Sequence, residues 1–599
     1  MCGIFGFLTF NSALRWRLGK NDCKQKLLQS GIEGCKNRGP EGSCSIGGNS
    51  TSYDFGLGFT RLAINNVQSD GMQPFTYKVT EDSMDGIYLV CNGEIYNADE
   101  IYQELAQSND LPELNSDCSI ILILYRLFGI HYTLNRLDGV FSFIIIDTIT
   151  EHMYIARDRL GIRSSYYGYA NILPVYRQTN NTYGRTYVVG SNLRQTIDFF
   201  NNPNVIEFIN QRDSLNIQPV IPGTFIDIDL VKQKHTINQF WSIYGTLVRK
   251  PQLTTSQLTT MSTINSYTSV VDSLYKSVKK RVTTTDRPIC CLLSGGLDSS
   301  LIASMVASIM AENGHSQRLE TYSIGIQGSD DLRFAKEVAK HIKSNHNEII
   351  VTAQEMFDAI PQVVRAVESY DTTTIRASVG NYLVCKFIAE HSDAKVVFNG
   401  DGADELMGGY LYFNVINDNQ THESERMRLL NQIHYYDVLR SDKTISENGL
   451  EARTPFLDVE FVNTMFSEMR LMPGKVSQEK FYLRQSIEKV RPDLLPKSVL
   501  WRRKEAFSDG VSGANKSWKD EINDMIKKLP KVIQKQIDTV CINNSDLTRE
   551  QAYYKLLFQT KICKDQNVLE DGFKQQLATR WMPRFVETND PSARTLDIY

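Results

Sequence analysis

Nothing in this 599-residue sequence approaches the ~20 consecutive apolar residues needed to span a bilayer; its most apolar run, around 141–146, is far shorter. Charge of one sign is missing too. With 65 Lys and Arg against 69 Asp and Glu, a net charge of -4 and a pI of about 6.2, there is no basic field to attract nucleic acid or an anionic membrane. Cys-x-x-Cys spacing is absent: the eleven cysteines are odd in number and scattered, and Cys290 and Cys291 fall inside a predicted core strand. That excludes a disulfide framework or a zinc site and predicts reduced thiols, most of them serving as small hydrophobes. The opening Met-Cys-Gly-Ile-Phe-Gly has no basic region ahead of its apolar residues, so the layout of a signal peptide is lacking. The expected compartment is the cytosol, with neither nucleic acid nor membrane as a partner.

What is present is the composition of a globular protein, 41% hydrophobic and 22% charged. At one domain per ~150 residues the length allows two to four. The most informative stretch is 288–300. Residues 289–293 read as a buried strand, and Ser294, Gly295, Gly296, Ser299 and Ser300 then offer backbone N–H groups and hydroxyls. Two glycines let the main chain approach a ligand closely. Leu301, Ile302, Met305, Val306 and Ile309 follow at helical spacing, so the turn sits at a helix N-terminus whose dipole favours anions. Two readings stand: a phosphate cradle, or an ordinary strand-to-helix turn, for which Gly-Gly and Ser are common caps. In the cradle reading Asp298 is a Mg²⁺ ligand, because a carboxylate beside polyphosphate repels it unless a divalent cation lies between. No Gly-Lys-Ser/Thr follows, which excludes a Walker A loop, and adjacent glycines exclude a dinucleotide fingerprint.

Downstream the pattern alternates. A helix over 270–282 leads into the loop; strands are expected at 320–326, 348–351 and 395–398, and helices at 331–342, 354–366 and 377–389. This is the signature of a parallel α/β sheet, in which ligands bind beyond the carboxyl ends of the strands. One such end carries Asn-Gly-Asp-Gly-Ala-Asp-Glu at 399–405. Alone, this is a solvated acidic loop. Beside Asp298, it completes a cation site in which Asp298 and Asp404 hold Mg²⁺.

Cys2 follows only the initiator Met, and a small residue there permits Met1 removal. The thiol would then share a carbon with a free α-amine, which titrates near ~8 and can act as its base. A cysteine at position 2 can equally be incidental. Its company decides: Asn-Arg-Gly-Pro-Glu at 37–41 reads as a tight turn, Arg-Leu-Ala-Ile at 61–64 enters a strand, Asn-Gly-Glu-Ile-Tyr-Asn at 92–97 follows a strand over 87–91, and Ser-Asp-Cys at 116–118 opens a helix.

These motifs resemble the glutaminase domain of class II amidotransferases, which fold as a four-layer αββα sandwich of the Ntn-hydrolase type. The match runs from Cys2 to about 223. Ser-Gly-Gly-Leu-Asp-Ser-Ser at 294–300 resembles the pyrophosphate loop of enzymes that cleave ATP to AMP, on an α/β parallel sheet of the ATP-pyrophosphatase (HUP-like) class. Together the two halves resemble the glutamine-hydrolysing asparagine synthetases over nearly the whole chain. The resemblance implies a glutaminase domain at 2–223, a connecting segment and linker at 224–269, a synthetase domain at 270–520 and a helical C-terminal tail at 521–599.

The resemblance also assigns roles. Cys2 attacks the glutamine amide, and the Asn92 side chain with the Gly93 N–H stabilises the oxyanion. Glutamine is held by Arg61, Leu62, Ile64, Asn92, Gly93, Glu94 and Asp117, with Arg61 suited to the α-carboxylate and Asp117 to the α-ammonium; taken singly, Arg61 and Asp117 could be surface ion-pair residues. ATP, a substrate, is held by Leu292, Leu293, Ser294, Gly295, Gly296, Asp298, Ser299, Ile324 and Gly400. Mg²⁺ lies on Asp298 and Asp404, Arg376 grips the substrate or adenylate, Lys480 clamps the leaving pyrophosphate, and Asp401 does acid–base work as ammonia attacks. Arg453 and Asp458 are expected to form a structural ion pair. Motifs at 434–440 and 501–511 also match, without an assigned role. The partners expected are aspartate, glutamine and ATP, with a homodimer left open, and ammonia is expected to pass through a water-poor internal passage between the domains.

Departures from the family pattern are Glu41 in place of Asp, Phe59 and Thr60 before Arg61, Ser164 and Ser165 after Gly-Ile-Arg, Asn192 after Ser191, and Asp401 in place of Glu. A β-lactam synthetase relative would lack Cys2, and a glucosamine-6-phosphate synthase would lack 294–300. An amidotransferase acting on another adenylated carboxylate, or an inactive homologue with a binding role, remains as an alternative.

Overall fold

Strand β1 (Gly3–Thr9) begins one residue after Cys2 and lies in the interior of a six-stranded antiparallel sheet. In the computed structural model the described residues are 1–19, 22–80, 83–172, 184–207, 215–248, 263–469, 478–503, 517–563 and 581–585. The chain divides into two compact units, Met1–Ser242 with Gln559–Thr579, and Ile243–Phe558 with Arg580–Tyr599.

In the first unit β1 is joined by β2 (Gly42–Asn49), β3 (Asp54–Arg61), β8 (Tyr166–Ile172), β9 (Gly184–Gly190) and β10 (Asn216–Pro219), in the order β10-β8-β9-β1-β3-β2. A second antiparallel sheet orders β12 (Lys234–Gln239), β11 (Thr224–Asp229), β7 (His152–Arg157), β6 (Gly139–Asp147), β5 (Gly86–Ile95) and β4 (Phe75–Lys78). Side chains alternate across a strand. On β1, Ile4 and Leu8 therefore join Val90, Ile144 and Ile155 of the facing sheet in one core, while Phe5 and Phe7 turn the other way onto Phe199. Helices Cys23–Glu33 and Leu193–Phe200 cover that outer face. Helix Ile120–Arg136 covers the second sheet through Ile120, Ile121 and Leu124. The result is the expected four-layer αββα sandwich.

By length and composition alone, Asp117–Arg136 is apolar enough to cross a membrane. Its Ile120, Leu124 and Leu134 instead pack against Phe141 and Phe143 in the core. Arg126 and His131 interrupt its apolar run.

The second unit holds a five-stranded parallel sheet in the order β15 (Asn345–Ile350), β14 (Glu320–Gly325), β13 (Ile289–Leu292), β16 (Val396–Phe398) and β17 (Glu451–Arg453). Cys290 and Cys291 on β13 are fully buried, as a strand covered on both faces requires. Strand order reverses between β13 and β16, so their carboxyl ends open side by side at the switch point.

Some expected boundaries move. The segment after 223 does not leave the first unit: β11 pairs with β7 and β12 with β11. The connecting segment and linker expected at 224–269 falls partly on 249–262, outside the described residues; helix Thr263–Thr283 begins earlier than 270. β15 starts three residues before the expected 348, because this edge strand opens with the polar Asn345, His346 and Asn347 and shows no apolar pattern. Helix Thr372–His391 starts five residues early because Asp371 caps it, accepting from Thr374 N at 2.9 Å. β17 was not expected at all. The C-terminal helices Trp518–Lys528, Lys531–Asn543 and Arg549–Phe558 belong to the second unit.

Candidate active sites

The first site lies around Cys2. Leu62 N–H donates to its Sγ at 3.5 Å, and Arg38 Nε donates to its carbonyl at 3.0 Å. Ser164, one of the departures from the family pattern, supports that arginine: Arg38 Nη1 reaches Ser164 Oγ at 3.4 Å, and Ser164 donates to Ser191 O at 2.8 Å. Met1 is buried, with Arg163 Nη1 2.7 Å from its sulfur. With Met1 in place, the Cys2 nitrogen lies within a peptide bond.

Arg61 is the last residue of β3, so the 61–64 motif leaves a strand and does not enter one. Its guanidinium donates to the carbonyls of Asn66 and Gln68, which fix the fork. Leu62 and Ile64 are buried behind it. Glu94 accepts from Asn65 Nδ2 at 2.6 Å, and Asp117 accepts from Ile95 N at 2.7 Å and from Ser116 Oγ at 3.0 Å. Glu41, in place of the usual Asp, accepts from Ala63 N at 2.7 Å.

Asn92 and Gly93 lie inside β5, not after it. Tyr96 N bonds Asp138 O and Thr148 N bonds Gly86 O. In an antiparallel ladder, bonding toward the partner alternates, so even-numbered residues of β5 face β6 and odd-numbered ones face the opposite edge. β4 covers that edge only over Gly86–Leu89. Beyond it Gln73 takes both backbone groups of Cys91, the Cys118 thiol donates to Gly93 O, and Asp117 takes Ile95 N–H. None of these partners takes the Gly93 N–H. Asn92 is fully buried, and neither of its amide atoms has a hydrogen-bond partner among the described residues. An unsatisfied buried amide costs stability.

The second site opens at the ends of β13 and β16. Gly295 has a φ of +73°, and a Cβ there would meet Ala335 N at 2.4 Å. Only glycine makes this turn. Ser294 and Ser299 hydroxyls lie 3.0 Å apart, tying the loop to the start of helix Leu297–Glu312. A Cβ on Gly400 would lie 2.9 Å from Ser299 N, so the acidic loop and the loop after β13 touch through a glycine.

Lys480 binds the two loops together. Its Nζ lies 2.5 Å from Asp298 Oδ2 and 2.6 Å from Asp404 Oδ1, and it is 4% exposed. Its backbone adopts φ +53°, uncommon for a residue with a side chain. Leu292, Leu293 and Ile324 line the same cavity. Asp401 pairs with Arg440 Nη2 at 2.5 Å, and Arg440 Nη1 pairs with Asp437 at 2.9 Å. Burial pushes the Asp401 carboxyl up, and Arg440 pulls it part of the way back. Burial, then the Asp437 and Asp404 charges, push Glu405 well up; Tyr410 donates to it.

Among the described residues no three acidic, His or Cys side chains converge as a metal cage. Two carboxylates do converge. Mg²⁺ is commonly held by one or two carboxylates with substrate phosphates and water completing its shell, so Asp298 and Asp404 fit it.

Two expectations are corrected. Arg376 does not face the cavity: its Nε and Nη2 bond Glu550 at 2.7 and 2.6 Å, and the pair is buried. A guanidinium satisfied by a bidentate carboxylate is not held ready for a substrate. Arg453 and Asp458 do not pair with each other. Arg453 Nε bonds Glu451 at 2.9 Å, whereas Asp458 meets Arg281 at 2.9 Å and Lys280 at 2.5 Å. Sequence inspection missed Thr373, whose Oγ1 is buried without a hydrogen-bond partner among the described residues at the cavity wall. It also left Asp437 and Arg440 without roles, although their motif at 434–440 was visible. Of the 501–511 motif, 504–511 lies outside the described residues.

The family model described as Asparagine synthase matches 269–422 and 414–557, and that described as Glutamine amidotransferase domain matches 1–199. The chain is similar to the glutamine-hydrolyzing asparagine synthetase of Gallus gallus, at 34% identity over 560 residues, covering 91% of each. It is similar to that of Homo sapiens at 32% over 623 residues, covering 100% of this chain and 99% of the relative. Among solved structures, a glutamine phosphoribosylpyrophosphate amidotransferase from B. subtilis matches at 14% identity and a TM-score of 0.29, covering 58% of this chain and 91% of that one.

Proposed function

Because the chain belongs to the glutamine-hydrolysing asparagine synthetase family, we propose that it converts aspartate, glutamine and ATP to asparagine, glutamate, AMP and pyrophosphate. In the first unit, Met1 removal gives Cys2 an α-amine that takes the thiol proton as sulfur attacks the glutamine amide. The oxyanion forms against the Asn92 amide and the Gly93 N–H, which need no rearrangement because nothing else occupies them. Arg61 receives the α-carboxylate, and Asp117 with Glu94 the α-ammonium, against the apolar Leu62 and Ile64. The α-amine passes its proton to the amide nitrogen, the C–N bond breaks, ammonia leaves, and water releases glutamate from the thioester.

In the second unit the loop from Ser294 to Ser299, with Gly400 opposite, holds the ATP phosphates, and Leu292, Leu293 and Ile324 line the nucleotide. Asp298 and Asp404 would hold Mg²⁺, which when bound neutralises charge on the pyrophosphate. Lys480 stays beside the leaving group as negative charge grows there. The aspartate side-chain carboxylate displaces pyrophosphate from the α-phosphorus, giving β-aspartyl-AMP. Ammonia then attacks the activated carbonyl, the bond to the phosphate oxygen breaks so that AMP leaves, and Asp401 takes the proton that the attacking nitrogen loses. Its raised pKa suits it to hold that proton. Ammonia must arrive unprotonated, since ammonium has no lone pair.

The observation that carries this reading is the meeting of Asp298, Asp404 and Lys480 beyond two adjacent parallel strands. A cytosolic location belongs to the same reading, supported by eleven cysteines of which none forms a disulfide, and so does a homodimer. The test is product analysis with Mg²⁺, ATP, glutamine and a panel of carboxylates. Asparagine, AMP and pyrophosphate in equal amounts are expected with aspartate. ADP in place of AMP would overturn adenylation, and AMP release that ignores aspartate but follows another carboxylate would overturn the acceptor.

A further inference from the structure

The wall of the synthetase cavity formed by helix Thr372–His391 is gripped from behind by the C-terminal part of the chain. Thr373, Ala377 and Asn381 of this helix face the cavity at helical spacing. Arg376, on the far side, is bound in both directions of its fork by Glu550 of helix Arg549–Phe558, with side-chain exposures of 5% and 2%. Tyr554 donates to the same Glu550 Oε1 at 2.9 Å. One residue before the helix, Asp371 receives Trp581 N–H on Oδ1 at 2.9 Å, while its Oδ2 caps the helix at Thr374 N. The Trp581 ring lies 5.2 Å from that of Tyr410, which donates to Glu405 in the cavity.

Two separate C-terminal residues thus fix the one helical turn that carries Thr373. Releasing Arg376 from Glu550 to meet a substrate would leave a buried carboxylate without its cation, which disfavours an exchange.

We infer that Glu550 is a positioning residue for the synthetase reaction: acting through Arg376, it sets the first turn of helix Thr372–His391 so that Thr373 meets the acceptor carboxylate. The acceptor is aspartate on the reading above; should wild-type AMP release follow a different carboxylate, that reading falls and the same comparison is made with that compound.

The experiment compares full-length wild type with Glu550→Gln, which keeps shape and loses charge, in ammonia-dependent synthesis. The acceptor KM should rise about tenfold, the equivalent of one hydrogen bond to a charged group, while the KM for ATP and the glutaminase rate stay within about twofold. Glu550→Asp, which keeps the charge one methylene short, should raise the acceptor KM by less. If Glu550→Gln does not fold, Glu550→Asp carries the test by itself. An unchanged acceptor KM in a folded variant overturns the inference, and so does an equal rise in the KM for ATP, since a general loosening of the unit would produce that.

Discussion

A side chain on Gly400 would meet the Cβ of Asp298 at 2.8 Å. The loop after β13 and the acidic loop are therefore in close contact, and the pair proposed to hold Mg²⁺, Asp298 and Asp404, depends on that contact. Gly400→Ala should force the loops apart at about 1–3 kcal/mol. AMP release should fall roughly 10- to 100-fold with glutaminase activity intact, as measured by separate assays of AMP and glutamate.

Asn92→Ala should lower the glutaminase kcat by about 10²–10³ and leave ammonia-dependent synthesis unchanged. Its stability should stay within about 1 kcal/mol of wild type, because removing an unsatisfied amide offsets the small cavity created. A large drop in melting temperature would mean that the amide is structural.

Cys2→Ala and Asp298→Ala should give opposite phenotypes. The first should abolish glutamine-dependent synthesis and keep the ammonia-dependent reaction. The second should abolish AMP formation and keep glutamine hydrolysis, and chelating Mg²⁺ should reproduce it. Loss of both activities in either variant would contradict separate sites.

Asp458 supplies a pH test. Burial opposes its ionisation, but Arg281 and Lys280 outweigh burial and hold its carboxyl at about 2, against an ordinary 3.8. A depressed carboxyl stabilises the fold above its unfolded value, and that contribution, about 2 kcal/mol, is lost as pH falls from about 4 to about 2. Asp458→Asn should cost about 3–5 kcal/mol at neutral pH. Its deficit against wild type should narrow in that acid window, as followed by thermal denaturation.

Local signals carried most of the fold and pointed to both candidate sites. The glycine turn at Gly295, the helical spacing of Leu301 to Ile309, and the Asn92-Gly93 pair each announce themselves within a few residues, because backbone conformation and periodicity are local properties. Contacts between distant residues could not be read this way. Arg376 meets Glu550 across 174 residues, and a lone arginine beside a substrate motif looks the same whether it faces the cavity or its back. Arg453 and Asp458 are neighbours in sequence, yet they turn to Glu451 and to Arg281. β17 is three residues long, too short for alternation to show, and the edge strand β15 opens with polar residues that look like loop.

Met1 is 1% exposed, and the residue after it enters an interior strand within one peptide. An affinity tag fused at that end would have to thread through packed protein and would also block the proposed processing that frees the Cys2 nitrogen, so a preparation tagged there should be limited to externally supplied ammonia.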